Sequence, residues 1–194
     1  MLHLRSVDLK KQKMDILTIP VCEDKDIHQD PMILKIIEKA LKLDEFSGKK
    51  DERVILYDLP HIMAQRVLLA GLGKYENLDR EALRKMAGRT VKSCIEKDLS
   101  NVWIALPDRD RMKMERSDAI TALMEGAYLG NHIFQKYKGK KKKKALKQIN
   151  LLTTSQTAGK FKHLCSKVAT VCEGTQLARE WVSTPANDKT PEKF

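Results

Sequence analysis

The sequence predicts an α/β domain: a mostly parallel, twisted sheet of about six strands with helices on both faces, followed by a C-terminal helix. Three observations lead there. Six short β-prone runs are spaced along the chain. Stretches with apolar residues at helical spacing lie between them, and strands alternating with helices imply parallel pairing through crossover connections. One run, "RVLLAGLG" (66–73), is almost continuously apolar and closes on two glycines, as a strand buried on both faces does.

Taken in order, "LHLRSVDL" (2–9) alternates like a half-buried strand, and "MDILTIPVC" (14–22) is a second β-prone run. Over 32–43, Ile33, Ile36, Ile37, Ala40 and Leu41 recur at helical spacing and form an apolar stripe. "VILYDL" (54–59) and 66–73 are the next two strands. "NLDREALRKMAGRTVKSCIEK" (77–97) reads as a helix with Asn77 or Asp79 as its N-cap. "NVWIALP" (101–107) is a strand ended by Pro107.

A third helix is expected over 117–137, with Ala119, Ala122, Leu123, Gly126, Gly130, Ile133, Phe134 and Tyr137 on one side. Its two glycines each cost about 1 kcal/mol of helix propensity. Close approach of this helix to the sheet would offset that cost. "LKQINLLTT" (146–154) is the last strand and "SQTAGK" a loop. Residues 159–182 then form a helix carrying Phe161, Leu164, Cys165, Val168, Cys172, Ala178 and Val182. This helix either closes the domain or carries the chain to another one.

Composition narrows the class. The chain has 194 residues, 42% hydrophobic and 32% charged, which fits one globular domain with an aliphatic core, since aromatics are only 5%. No apolar run reaches the length of a membrane span, and the charged N-terminus "MLHLRSVDLKKQKMD" lacks a signal-peptide core. A cytoplasmic protein without membrane contact is expected. Cys22, Cys94, Cys165 and Cys172 form no CxxC pair and no zinc-type spacing, and read as reduced core thiols.

The search for chemistry yields little. Gly71 and Gly73 follow a strand and precede a helix, but Glu76 stands where the dinucleotide fingerprint needs glycine. Lys74 is followed by Tyr75 rather than by the Ser or Thr of a phosphate loop. A tight turn off a central strand is the simpler reading. "EDKDIHQD" (23–30) is acidic but lacks the Gly and distal Glu of a calcium loop, and reads as a solvated loop. The five histidines are scattered, and no catalytic or metal-binding residue is assigned.

Net charge is +11, with eight lysines and no acid in "KYKGKKKKKALK" (Lys136–Lys147). A solvated surface loop is one reading. The other is a polyanion contact through Lys140, Lys141, Lys142, Lys143 and Lys144, which would grip phosphates without reading bases.

Three stretches resemble the N-terminal part of the leucyl (cytosol) aminopeptidase family. They are "RVLLAGLGK" (66–74) with "LDREALRKMAGRTV" (78–91), "MEGAYLGNHIFQKYK" (124–138), and "LAREWVSTPANDKTPEKF" (177–194). The second carries Glu125, Gly126, Leu129, Gly130, Phe134, Tyr137 and Lys138. The third keeps Arg179, Pro185, Asn187, Thr190 and Pro191 of the segment linking two domains. His132 and Ser183 depart from the pattern where Tyr and Asn are common.

This resemblance implies a non-catalytic domain over 1–158, similar in fold to macro domains. It also implies an interdomain linker helix with the first residues of a catalytic domain over 159–194. The full-length family releases N-terminal amino acids from peptides with two divalent metals, Zn or Mn. Those metals sit in a C-terminal domain whose "NTDAEGRL"-like and lysine-glycine motifs do not occur here, so this chain alone is expected to be inactive. The implied partners are its own catalytic domain and other subunits of a hexamer. Some bacterial members also bind DNA, which keeps the Lys136–Lys147 segment in view as a nucleic-acid-binding module. The similarity to macro domains suggests a further ligand, ADP-ribose or a related nucleotide, near Gly71–Gly73. Thr190 and Pro191 read as the start of a helix in the next domain, so residues beyond about Trp181 are expected to be poorly packed.

Overall fold

The computed structural model describes residues 2–137, 139 and 143–190. Its strands are β1 (Leu2–Arg5), β2 (Ile16–Val21), β3 (Arg53–Tyr57), β4 (Arg66–Gly71), β5 (Asn101–Ala105) and β6 (Gln148–Leu152). The helices are α1 (Pro31–Leu41), α2 (Arg80–Glu96), α3 (Arg116–Gly130), α4 (Ser155–Lys160) and α5 (Lys162–Ser183). One six-stranded sheet runs in the order β1-β6-β5-β2-β4-β3. Every neighbouring pair is parallel except the edge strand β3, which runs antiparallel to β4.

Side-chain alternation divides the sheet between two cores. Leu17, Ile19, Val67, Leu69, Trp103 and Ala105 pack toward α1, whose Ile33, Ile36, Ile37 and Ala40 cover that face. Ile16, Leu68, Ala70, Val102, Ile104, Ile149 and Leu151 point the other way, under α2, α3 and the two buried residues of α5, Val168 and Cys172. Strands buried on both sides need apolar residues at every position, which is why their sequences show so little alternation.

α1 starts where Asp30 accepts hydrogen bonds from the N–H groups of Met32 and Ile33, with Pro31 at the first helical position. α2 starts at Asp79, whose carboxylate accepts from Ala82 N–H at 2.7 Å. Asp79, not Asn77, is therefore the cap, and Tyr75–Asn77 form a separate 3₁₀ turn.

Three expectations need correction. The third helix ends at Gly130, not near residue 137. Asn131 ends it: its side chain turns to residue 146, accepting from Leu146 N–H and donating to Leu146 O. Ile133, Phe134 and Tyr137 therefore lie beyond the helix. The "SQTAGK" stretch is the short helix α4, because Thr154 Oγ1 accepts from Thr157 N–H and caps it.

The glycines of α3 also face a different neighbour. A Cβ at Gly126 would overlap Arg84 O of α2, and one at Gly130 would lie 2.7 Å from Gly88 O. The close approach is helix to helix, not helix to sheet. Arg84 crosses the same contact, its Nε donating to Glu125 at 2.8 Å.

Candidate functional site

In an open α/β sheet the natural ligand crevice lies beyond the strands' carboxyl ends, where the connections reverse direction. Here that point falls between β2 and β5: the chain leaves β2 for α1 on one face and leaves β5 for α3 on the other. Pro20 sits in β2 with no N–H to donate, and pairing with β5 stops at Thr18–Ile104 while pairing with β4 continues to Val21–Gly71. The two strands therefore part toward their ends. His28 fills the gap, 1% exposed, with Nε2 donating to Pro20 O at 2.8 Å. Burial lowers its pKa, so the ring is neutral and Nδ1 is left as an acceptor. The acidic 23–30 loop is thus only partly solvated, since Ile27 and His28 are both buried.

Beyond His28 lies a cavity of about 430 Å³ walled by Asp30, Asp108, Arg116 and the residues after β1 and β6. Arg116, 8% exposed, donates to Pro107 O and to Thr153 Oγ1, tying together the ends of β5 and β6. Burial lowers its pKa, while Asp108 and Asp110 act in the opposite sense. Asp108 itself accepts from Gln29 N–H at 2.7 Å. Nothing in the sequence singled out Arg116, one of 37 lysines and arginines.

The Gly71–Gly73 turn borders a second cavity, about 510 Å³, with Lys50, Lys85 and Arg89 and the acids Asp51, Asp79 and Glu81. Four of its charged side chains pair with one another, Arg89 with Asp51 and Lys85 with Glu81. The backbone is occupied as well. Gly71 N–H donates to Glu52 O, Leu72 N–H to Val21 O and Gly73 N–H to Gly48 O. A phosphate loop must aim such groups at its ligand. These glycines instead admit the 48–50 backbone, since a Cβ at Gly71 would overlap Lys49 O.

Of the lysine segment, Lys138, Lys140, Lys141 and Lys142 lie outside the described residues, and Lys143 and Lys144 are exposed. The four thiols are free, and burial pushes Cys94 up to about 12 and Cys22 and Cys172 to about 11, so they are poor nucleophiles. Among the described residues no three His, Cys, Asp or Glu side chains come together as metal ligands would. No metal-dependent step is therefore assigned to these residues. No helix among the described residues is long and apolar enough to cross a membrane.

α5 presents a different kind of surface. Val171, Leu177, Trp181 and Val182 are 47–82% exposed on one 22-residue helix. From Thr184 to Thr190 no residue is buried, although Asp188 is contacted by Tyr137 and Lys136. Pro191, Glu192, Lys193 and Phe194 lie outside the described residues.

Comparison with known proteins places this geometry. A family model for the N-terminal domain of the cytosol aminopeptidase family matches residues 26–141. A probable cytosol aminopeptidase of Protochlamydia amoebophila is 30% identical over 192 residues, covering 94% of this chain and 37% of the relative. The chloroplastic neutral leucine aminopeptidase of Solanum lycopersicum is 30% identical over 202 residues, covering 96% and 35%. The chain thus spans about a third of the length of these relatives.

Among solved structures, a mutant tomato leucine aminopeptidase superposes with a TM-score of 0.77 at 21% identity, over 98% of this chain and 39% of that one. The bottromycin maturation enzyme BotP in complex with Mn gives 0.63 at 17% identity, over 92% and 34%. An Oceanobacillus iheyensis macrodomain mutant with ADPR gives 0.57 at 10% identity, over 87% and 94%, so the fold is macrodomain-like. The matched family segment includes the glycines of the α2–α3 crossing and the Gly71–Gly73 turn, and the chain belongs to the cytosol aminopeptidase family, whose N-terminal domain it carries.

Proposed function

We propose that this chain is the non-catalytic N-terminal domain of a cytoplasmic leucyl aminopeptidase, a metal-dependent exopeptidase. In this reading residues 1–158 form the accessory domain, and 159–194 link it to a catalytic domain that holds two divalent metals, Zn or Mn. The observation that carries the proposal is the family match over 26–141 in a chain about a third as long as its relatives. The manganese named for one structural neighbour favours a metal elsewhere in the whole enzyme.

Its part in the enzyme would be assembly, as a subunit element of a hexamer, and shaping access to the active site. The exposed apolar residues of α5, the last long element before the tail, suit contact with the catalytic domain. The test is direct. The purified chain, given Mn²⁺ or Zn²⁺, should leave leucine p-nitroanilide intact, and calorimetry should show no stoichiometric metal uptake. Enzyme-like turnover by this chain would overturn the proposal.

A further inference from the structure

A groove lies on the α1 side of the sheet, between α1 and the β3–β4 connection, outside every feature used above. Its floor is apolar, made by Pro31, Met32, Ile36, Leu59 and Pro60. Its rim is basic: Lys10, Lys35 and Lys39 line it together with His61, and no carboxylate does. None of the three lysines takes part in an ion pair among the described residues. Of the nearby acids, Asp30 is engaged as the cap of α1 and Asp8 as acceptor of Lys10 N–H, while Glu38, exposed on α1 between Lys35 and Lys39, does not line the groove. Lys35 and Lys39 are one turn apart on α1, so they flank Ile36 on the same face. Across the groove, Asp58 and His61 hold left-handed backbone, φ 50° and 69°, which non-glycine residues rarely adopt.

An apolar trough of about 430 Å³ bordered by unpaired cations is complementary to one chemistry. We propose that it docks an acidic amphipathic segment of another protein, a helix with apolar residues at helical spacing and carboxylates beside them. The apolar side chains would lie on Pro31, Met32 and Pro60, above the buried Ile36 and Leu59, and the carboxylates would meet Lys10, Lys35 and Lys39. Lysine stems lying along the trough extend its apolar walls while their ammonium groups stay in water. The +11 charge of the chain would speed encounter but not place the ligand.

The probe is a fluorescein-labelled helical peptide of about five turns, with Leu at helical spacing and Glu elsewhere. Its binding should be saturable and weaken with salt. The double variant K35E/K39E should lose at least about tenfold in affinity. K92E, on α2 and away from the groove, should bind as the parent does. A peptide with Leu replaced by Ser should bind far more weakly, and a Lys/Leu peptide should bind K35E/K39E better than it binds the parent. Amide shifts in NMR spectra should centre on residues 10, 31–39 and 59–61.

Equal binding by K35E/K39E, equal binding of the Ser peptide, or no binding at millimolar peptide would each overturn the proposal. So would shifts centred on the lysine segment. Self-association that K35E/K39E abolishes would assign the groove to a second copy of this chain and overturn it too. Circular dichroism of the variants separates loss of binding from loss of fold.

Discussion

Two buried side chains decide how this protein responds to perturbation. Thr18 sits in the central strand β2, 0% exposed, and its hydroxyl has no hydrogen-bond partner among the described residues. Such a hydroxyl has lost water without compensation. Thr18→Val keeps the shape and removes the polar atom. It should stabilise the chain by about 1 kcal/mol, read as a higher midpoint in urea with an unchanged slope. A destabilised variant would show that the hydroxyl is satisfied. His28 acts through protonation. Burial holds its folded pKa below the ordinary 6.5, so the unfolded chain binds the proton first. The contribution is fully present above about pH 6.5, and it is lost as pH falls from there toward the lowered folded value. His28→Gln removes the titration while leaving an amide able to donate. The fall in Tm on acidification through that window should then be shallower than in the parent, and parallel curves would exclude His28 as its source.

At the scale of elements, the α2–α3 crossing is the feature most sensitive to sequence. Gly126→Ala would drive a methyl group into Arg84 O of the facing backbone. Overpacking costs about 1–3 kcal/mol, and the gain in helix propensity recovers only up to about 1. Gly174 lies in α5 with open space around its Cβ position, so Gly174→Ala should stabilise by about 0.5–1 kcal/mol. Opposite signs in chemical denaturation would confirm that one glycine serves contact and the other does not. These glycines also mark what could be read from sequence. Six strands and four long helices are written in local apolar runs, and the cost of two glycines in one helix announced a close neighbour. Which neighbour is a tertiary fact, because α2 and α3 meet only once the sheet has placed them. The end of α3 was hidden for the same reason: Asn131 stops it by bonding to residue 146, fifteen residues on. The crevice between β2 and β5 depends on strand order, so Arg116 and Asp108 carried no signal of their own. The Gly71–Gly73 turn was readable, since its failed fingerprints pointed to a turn and its N–H groups are spent within the chain.

At the scale of the molecule, the helices are unequally buried. α1, α2 and α3 bury four, seven and nine residues, whereas the 22-residue α5 buries only Val168 and Cys172. An element that long, held at two buried positions, leaves Val171 and Val182 on one side and Leu177 on another facing water. Exposed substitutions away from a core usually change stability by less than about 0.5 kcal/mol each. The triple variant Val171→Ser, Leu177→Ser and Val182→Ser should therefore leave the denaturation midpoint of this chain nearly unchanged. If these residues meet a catalytic domain, the same change should matter only when that domain is present. Grafted in place of the N-terminal domain of a full-length relative, the parent sequence should give an assembled, active peptidase. The triple variant should give a smaller species on size exclusion and a lower Tm, because its apolar contacts with the catalytic domain are lost. Equal assembly and equal Tm for both grafts would mean that α5 faces solvent in the whole protein and that the domain is joined by other surfaces. A triple variant that already unfolds by itself would mean that these side chains belong to this domain's own core.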